Sequence, residues 1–357
     1  MSSVLAPCAP LWVMLEREAA MQIDEEILAC VGFIGEPSEQ GFVAAGTCFF
    51  VYLVEETESF QYIVTARHLV RPVRPGGKEL LPLDGIVRIR VSRKTKPPHI
   101  IKTVRKEWIV HHNRHVDVCV RQFDLRAEDP DDDFHLNELS IGGPTSILYH
   151  ERNYGPIAIG DEIFIPSVFV PHVGEKRNIP IVRIGHIAAR PIESIRAGSP
   201  TLPAYLIETK SLGGTSGAPI FLHLLPTLPR NTRHSKPTQI GRLVPYALIG
   251  MVLGSHSGKY ASDFVESDNE ENLISKDADF NAGISVALPI QIVLDVLNSD
   301  KLKRSRTATI EAIKKQSGYR PSSAVNPKSR NDNPSHKEDF TRLVDVAARK
   351  RPRGDQT

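Results

Sequence analysis

Ser211-Leu212-Gly213-Gly214-Thr215-Ser216-Gly217-Ala218-Pro219-Ile220-Phe221 is the most demanding stretch of this chain. A serine set among glycines, then a proline and an apolar run, calls for a sharp turn that leads into a buried strand. Small neighbours let a substrate carbonyl approach the Ser216 hydroxyl. They also free backbone N–H groups, here those of Gly214 and Ser216, to face a developing oxyanion. Taken alone, the same residues also read as a plain glycine turn between two strands.

A serine hydroxyl is a poor nucleophile near neutral pH and needs a base. In Tyr62-Ile63-Val64-Thr65-Ala66-Arg67-His68-Leu69-Val70 a strand pattern ends in Thr-Ala, and His68 follows almost at once. Between the histidine and the serine lies His115-Val116-Asp117-Val118-Cys119-Val120. The pattern predicts that Asp117 sits within an apolar strand, where its charge is costly unless paired. A histidine N–H would pair it, fix the imidazole tautomer and stabilise the imidazolium. His111, His112 and His115 cluster nearby, but no cysteine or carboxylate completes a metal ligand set with them. They read as surface histidines, and neither a metal nor a cofactor is expected.

The rest of the chain supplies a β-rich body. Strand-like runs cover Ile27–Ile34, Phe42–Val54, Phe60–Thr65, Val87–Val91, Trp108–Val110, Val116–Val120 and Glu162–Phe169. They continue at Ile181–Ile187, Tyr205–Glu208, Pro219–Leu222, Ala247–Leu253 and Ile284–Leu288. Short strands at regular spacing with turn residues between them mean an all-β sandwich or barrel. Ile290, Val293, Leu294 and Leu297 make one helical face that closes the body. Beyond it the composition changes. Residues 301–357 hold 15 basic and 6 acidic side chains, which leaves 29 basic and 36 acidic in the first 300. The overall charge of +2 therefore joins an acidic body to a basic tail. The tail reads as largely flexible, with one short amphipathic helix at about 337–350. No apolar run approaches the roughly 18 residues that span a bilayer. The four cysteines show no close pairing, as in free thiols, so a cytoplasmic location is expected.

These motifs together resemble the trypsin-like (chymotrypsin-fold) serine peptidases, bacterial non-digestive members above all, over roughly residues 25–300. The chain order His, Asp, Ser is theirs. Ala45–Val51 looks like the strand before the histidine strand, and Gly160–Ile165 like the first strand of a second barrel. The resemblance implies two packed antiparallel six-stranded β-barrels, at about 25–150 and 151–288, with a closing helix at 289–299. A 1–21 extension precedes this 22–300 domain, and the 301–357 tail follows it. It implies His68 as general base and acid, Asp117 as its orienting partner, Ser216 as nucleophile, and an oxyanion hole from Gly214 and Ser216. It places substrate backbone along Val252, Leu253 and Gly254. Lys210, six residues before Ser216, stands near a pocket-floor position, where a lysine would favour an acidic substrate side chain. A surface lysine is the other reading. Thr215 stands where digestive members carry an aspartate, and Leu69 follows His68 where they carry a disulfide cysteine.

The function this implies is a serine endopeptidase acting on polypeptides. Two other readings stay open: a protease-like binding module that does not turn over, and partner or nucleic-acid binding through the tail. For the tail an acidic partner protein suits better than nucleic acid, because Tyr319 and Phe340 are its only stacking aromatics.

Overall fold

A computed structural model describes residues 23–39, 41–71, 85–113, 115–142, 146–151, 155–191, 194–196, 201–209, 213–224, 245–257 and 281–316. The expected tail helix at 337–350 and Lys210 lie outside them.

The first barrel starts after a 3-10 turn, Glu25–Cys30, where the sequence suggested strand from Ile27. Asp24 caps this turn by accepting the Glu26 N–H at 3.0 Å. The strands are β1 (Val31–Ser38), β2 (Gly41–Glu55), β3 (Glu58–Thr65), β4 (Ile86–Val91), β5 (His99–Val104), β6 (Ile109–Val110), β7 (Cys119–Phe123) and β8 (Leu139–Ser140). They pair in the order β5-β4-β1-β2-β3-β7-β6, with β8 joining β2 in parallel. The two ends of that order, β5 and β6, are consecutive in the chain. Only Arg105–Trp108 separates them, most of it a 3-10 turn. They are the halves of one bent strand, so the sheet curls into a barrel of six strands, one of them broken. Trp108 lies at the bend. It is 2 % exposed and donates its indole N–H to Thr103 Oγ1 at 2.9 Å, so its polar edge is matched inside the core. Around it pack Ile34, Phe50, Ile63, Ile89, Ile101 and Phe123. Full burial of a side chain of this size is worth roughly 1.5–3 kcal/mol.

The second barrel is closed and antiparallel. Its strands are β9 (Glu162–Ser167), β10 (Ile181–Ala189), β13 (Tyr205–Glu208), β14 (Pro219–His223), β15 (Tyr246–Ser257) and β16 (Asn281–Pro289). They pair in the ring β10-β13-β16-β15-β14-β9. Strands β11 (Ser194–Arg196) and β12 (Thr201–Pro203) form a separate hairpin. Alternate residues point inward, and Ile163, Ile165, Ile187, Ile207, Ile220 and Ala287 meet in one apolar core. This is the all-β, two-barrel, trypsin-like architecture expected.

Helix α1 (Arg67–Val70) and helix α2 (Leu125–Glu128) are single turns between strands. Helix α3 (Ile290–Leu297) closes the body and buries Val293, Val296 and Leu297. After it the structure differs from the flexible stretch expected past residue 300: helix α4 runs from Asp300 to Gln316. Leu302 and Arg306, one turn apart, are both buried. Arg306 donates to Glu55 at 2.7 Å, to the Tyr62 hydroxyl at 3.0 Å and to the Leu297 carbonyl at 2.8 Å. The chain divides into compact units between Thr307 and Ala308, inside this helix.

Candidate active site

His68 lies on α1, directly after β3. Its position is held by Asp117 through three contacts. The Asp117 carbonyl accepts the Arg67 N–H at 3.3 Å. One carboxylate oxygen accepts the His68 backbone N–H at 2.8 Å. The other meets His68 Nδ1 at 2.5 Å. An ionised carboxylate can only accept, so in the neutral imidazole Nδ1 carries the proton and Nε2 has the lone pair. Asp117 itself departs from the sequence expectation. It is not within a strand, because β7 begins two residues later at Cys119. Its side chain keeps 25 % exposure, so partial hydration and the His68 contacts together offset its charge.

Ser216 is carried on a turn, Gly213–Gly217, that leads into β14. Two glycines in this turn have positive φ, 102° at Gly214 and 79° at Gly217, a backbone region that L side chains rarely enter. A Cβ on Gly217 would lie 2.2 Å from the Thr47 carbonyl and 3.0 Å from the Ala66 nitrogen. The serine turn is therefore pressed onto the end of β3, two residues from His68. Hydrogen bonds fix it there. Thr47 donates its backbone N–H to the Ser216 carbonyl at 3.0 Å and its hydroxyl to the Gly214 carbonyl at 2.7 Å. Thr65 donates its hydroxyl to the Thr47 carbonyl at 2.7 Å. Among the described residues, the Gly214 and Ser216 N–H groups meet no protein acceptor, and no hydrogen bond joins Ser216 Oγ to His68.

The β15 edge passes beside the serine. Val252 differs from its expected role. Its N–H donates to the Ala218 carbonyl and its carbonyl accepts from the Gly217 N–H, each at 2.9 Å. Through these two bonds Val252 braces the serine turn, and its single N–H is committed there. Leu253 and Gly254 are different. β14 pairs with β15 only as far as Met251, and a bulge falls between Val252 and Gly254. From Leu253 onward, the side of β15 away from β16 has no strand partner among the described residues. A Cβ on Gly254 would stand 3.8 Å from Ser216 Oγ, so glycine leaves the flank of that hydroxyl clear.

Cys119 and Cys48 both pair with Thr65, from β7 and β2, at the strand end that precedes His68. Burial pushes the Cys119 thiol well above the usual value, and the Asp117 charge adds to that shift. Cys48 is pushed by burial to about 12. Neither forms a thiolate readily, which leaves the Ser216 hydroxyl as the nucleophile candidate. His111 is buried rather than on the surface. Its ring lies against that of His112, tilted by 32° with centroids 4.1 Å apart, and its Nδ1 accepts the Asn113 N–H at 3.1 Å.

Thr47 and Thr65 were not singled out by the sequence. Both sit in strands where threonine is ordinary, so spacing carried no signal. Only the approach of the two barrels gives the Thr47 hydroxyl its partners, and Thr65 in turn bonds the Thr47 carbonyl within the first barrel.

No family model and no curated protein matches the sequence. Solved structures do match. One is the protease domain of MamO from Magnetospirillum magneticum in its apo form, at 10 % identity, covering 77 % of this chain and 98 % of that one, TM-score 0.43. Another is an HtrA-type protease, AlgW, with a decapeptide, at 13 % identity over 76 % of this chain and 63 % of that one, TM-score 0.38. A third is a protease of M. tuberculosis in its active form, at 14 % identity over 83 % and 93 %, TM-score 0.36. At this overlap the likeness decides nothing about chemistry, and the fold stands on its own strand pairing.

Proposed function

We propose that this chain is a serine endopeptidase with Ser216 as nucleophile, His68 as general base and acid, and Asp117 as orienting carboxylate. The observation that supports it most is the double hold of Asp117 on His68. It leaves Nε2 basic on a residue whose strand end bears the serine turn. In the first step the Ser216 oxygen bonds to the scissile carbonyl carbon while its proton passes to His68 Nε2. The Gly214 and Ser216 N–H groups stabilise the oxyanion. The proton then goes to the departing amine nitrogen as the C–N bond breaks. Water, deprotonated by the same imidazole, hydrolyses the acyl-enzyme. Peptide backbone pairs with the open β15 edge at Leu253 and Gly254 by strand addition. In structures without substrate, catalytic hydrogen bonds are often long and tighten on binding, in keeping with the absent Ser216–His68 bond.

The test is labelling of the purified chain with a fluorophosphonate, with Ser216→Ala alongside. Modification at Ser216, and a loss of roughly 10⁴-fold or more in peptidase rate in the variant, are expected. Persistent absence of labelling would favour the second reading, a protease-like module that binds without turnover. The missing Ser216–His68 hydrogen bond is the observation on its side. A polypeptide is the substrate in the first reading and the bound ligand in the second.

A further inference from the structure

Strand register sets a row of residues side by side on the outside of the first barrel. Thr47 on β2 pairs with Phe33 on β1, Phe33 with Arg90 on β4, and Arg90 with Ile100 on β5. Directly paired residues point to the same side of a sheet. Ile34, next to Phe33, belongs to the barrel core, so the row points away from that core. Pro37, four residues along β1 from Phe33, shares this outward face with its partner Phe42. Thr47 is also the residue that holds the serine turn, through the Ser216 and Gly214 carbonyls. The face that carries Thr47 therefore leads away from the nucleophile toward Ile100. At about 4.8 Å per strand, Ile100 lies roughly 14 Å from Thr47.

The segment that leaves β9 runs along the same face. It starts against the serine turn, where Val168 donates its N–H to the Thr47 hydroxyl at 3.1 Å. A Cβ on Gly214 would come within 2.9 Å of Val170, so the contact there is close. Further on, the segment is clamped to β4. Arg90 donates to the carbonyls of Val173 at 3.0 Å, Gly174 at 2.7 Å and Glu175 at 3.1 Å, and to Asn178 Oδ1 at 2.7 Å. Asn178 returns a bond from Nδ2 to the Arg90 carbonyl at 2.8 Å.

Between these two walls lies a groove of about 530 Å³. Pro37, Phe42, Pro98, Ile100, Pro171 and Val173 give it an apolar lining, and each of them keeps exposure to solvent. Arg90 borders the groove, but both of its terminal nitrogens are engaged in the clamp. Glu175 also lines it and adds a negative charge. Such a lining gains by covering apolar surface and disfavours an acidic side chain.

The occupant follows from what the groove adjoins. β15 reaches the serine turn through Val252, bonded to Gly217 and Ala218, and its open edge begins at Leu253. A polypeptide laid across Ser216 and paired with that edge extends past the turn with its other half. The Thr47 face is the wall that this half meets. Extended chain advances about 3.3 Å per residue, so about three to five residues reach from Ser216 into the groove.

We propose that this groove binds the half of a polypeptide substrate that does not pair with β15, and selects apolar side chains about three to five residues from the scissile bond. The proposal rests on the peptidase reading above, which puts that bond at Ser216.

Equilibrium binding to full-length Ser216→Ala protein tests the groove without turnover. The probe is fluorescently tagged serum albumin, reduced and carboxymethylated so that it stays unfolded. Adding Phe42→Glu or Pro171→Glu should each raise Kd by about tenfold or more, the size of one lost anchor. Both residues keep solvent exposure, and an unchanged melting temperature in either variant shows that its fold is kept. Phe42→Leu keeps an apolar wall and should bind within about threefold of the Phe42 protein. Unchanged Kd in both glutamate variants overturns the groove, and a leucine variant as weak as the glutamate one overturns its apolar selection. With Ser216 intact, cut sites in the same albumin are mapped by mass spectrometry. Apolar residues should be enriched about three to five positions to one side of the cut, and an even distribution there overturns the selection. No cleavage by the parent would sink the peptidase reading, while the binding measurements still judge the groove.

Discussion

Thr47 donates its hydroxyl to the carbonyl of Gly214 at 2.7 Å, across 167 residues of chain. The same hydroxyl oxygen accepts the Val168 N–H at 3.1 Å. One threonine of the first barrel thus holds both the serine turn and the exit of β9 in the second. Thr47→Val keeps shape and β propensity but strands the Gly214 carbonyl and the Val168 N–H, at a cost of about 1–3 kcal/mol. The variant should melt at lower temperature and label with fluorophosphonate at least tenfold more slowly. Parental labelling kinetics would remove Thr47 from the positioning of this turn.

Asp117→Asn tests the tautomer argument. An amide can present N–H toward His68 Nδ1, which moves the imidazole proton to Nε2 and removes the basic lone pair. A fall in kcat of about 10⁴-fold is expected, by analogy with the same change in a known triad. KM for a peptide substrate should move little. A drop below tenfold would mean that Asp117 holds the backbone of His68 and not its protonation.

Glu138 should make stability depend on pH. Burial raises its carboxyl to about 7, against the Gln61 side-chain amide, which donates to it at 2.9 Å and lowers the value. The folded state therefore holds a proton that the unfolded state has released between the ordinary carboxyl value and about 7. By linkage this contribution is full below the unfolded value and is lost as pH rises through the folded one. Urea midpoints across pH 4–8 should show this decline, and Glu138→Gln should flatten it. An unchanged slope in the variant would assign the dependence to another group.

Arg306 is fully buried, while its partner Glu55 keeps 33 % side-chain exposure. Arg306→Met leaves the Leu297 carbonyl and the Tyr62 hydroxyl without this donor, and a loss of about 3 kcal/mol in unfolding free energy is expected, the low end for a broken buried pair. Glu55→Gln should cost less, because solvent reaches that side. If the methionine variant matches the parent, α4 contributes nothing to the body through this residue.

Much of the architecture was legible because it rests on local chemistry. Alternation in Val87–Val91 and the apolar runs at Phe42–Val54 and Tyr205–Glu208 all became strands. The helix at 290–297 formed, with Val293 and Leu297 buried as expected, Val296 buried beside them, and Ile290 and Leu294 only partly buried. Strand β5 was missed because His99–Val104 mixes polar and apolar residues without a clean period. Helix α4 was missed because its polar and basic composition hides three buried residues, Leu302, Arg306 and Ile310. The Arg306 partners Glu55 and Tyr62, on β2 and β3, lie some 240 residues earlier in the chain.

What the sequence determined by itself was the chemistry available and its order: a histidine after a strand, an aspartate, then a serine held among glycines. Those are short-range facts, since turns, alternation and glycine conformations depend on neighbours in the chain. Only the tertiary structure decided which groups remain free to act. It committed the Val252 backbone to the serine turn and left the β15 edge open from Leu253. It drew Thr47 to Gly214. Hydrogen bonds between distant strands are set by barrel closure and register, and no local pattern encodes them.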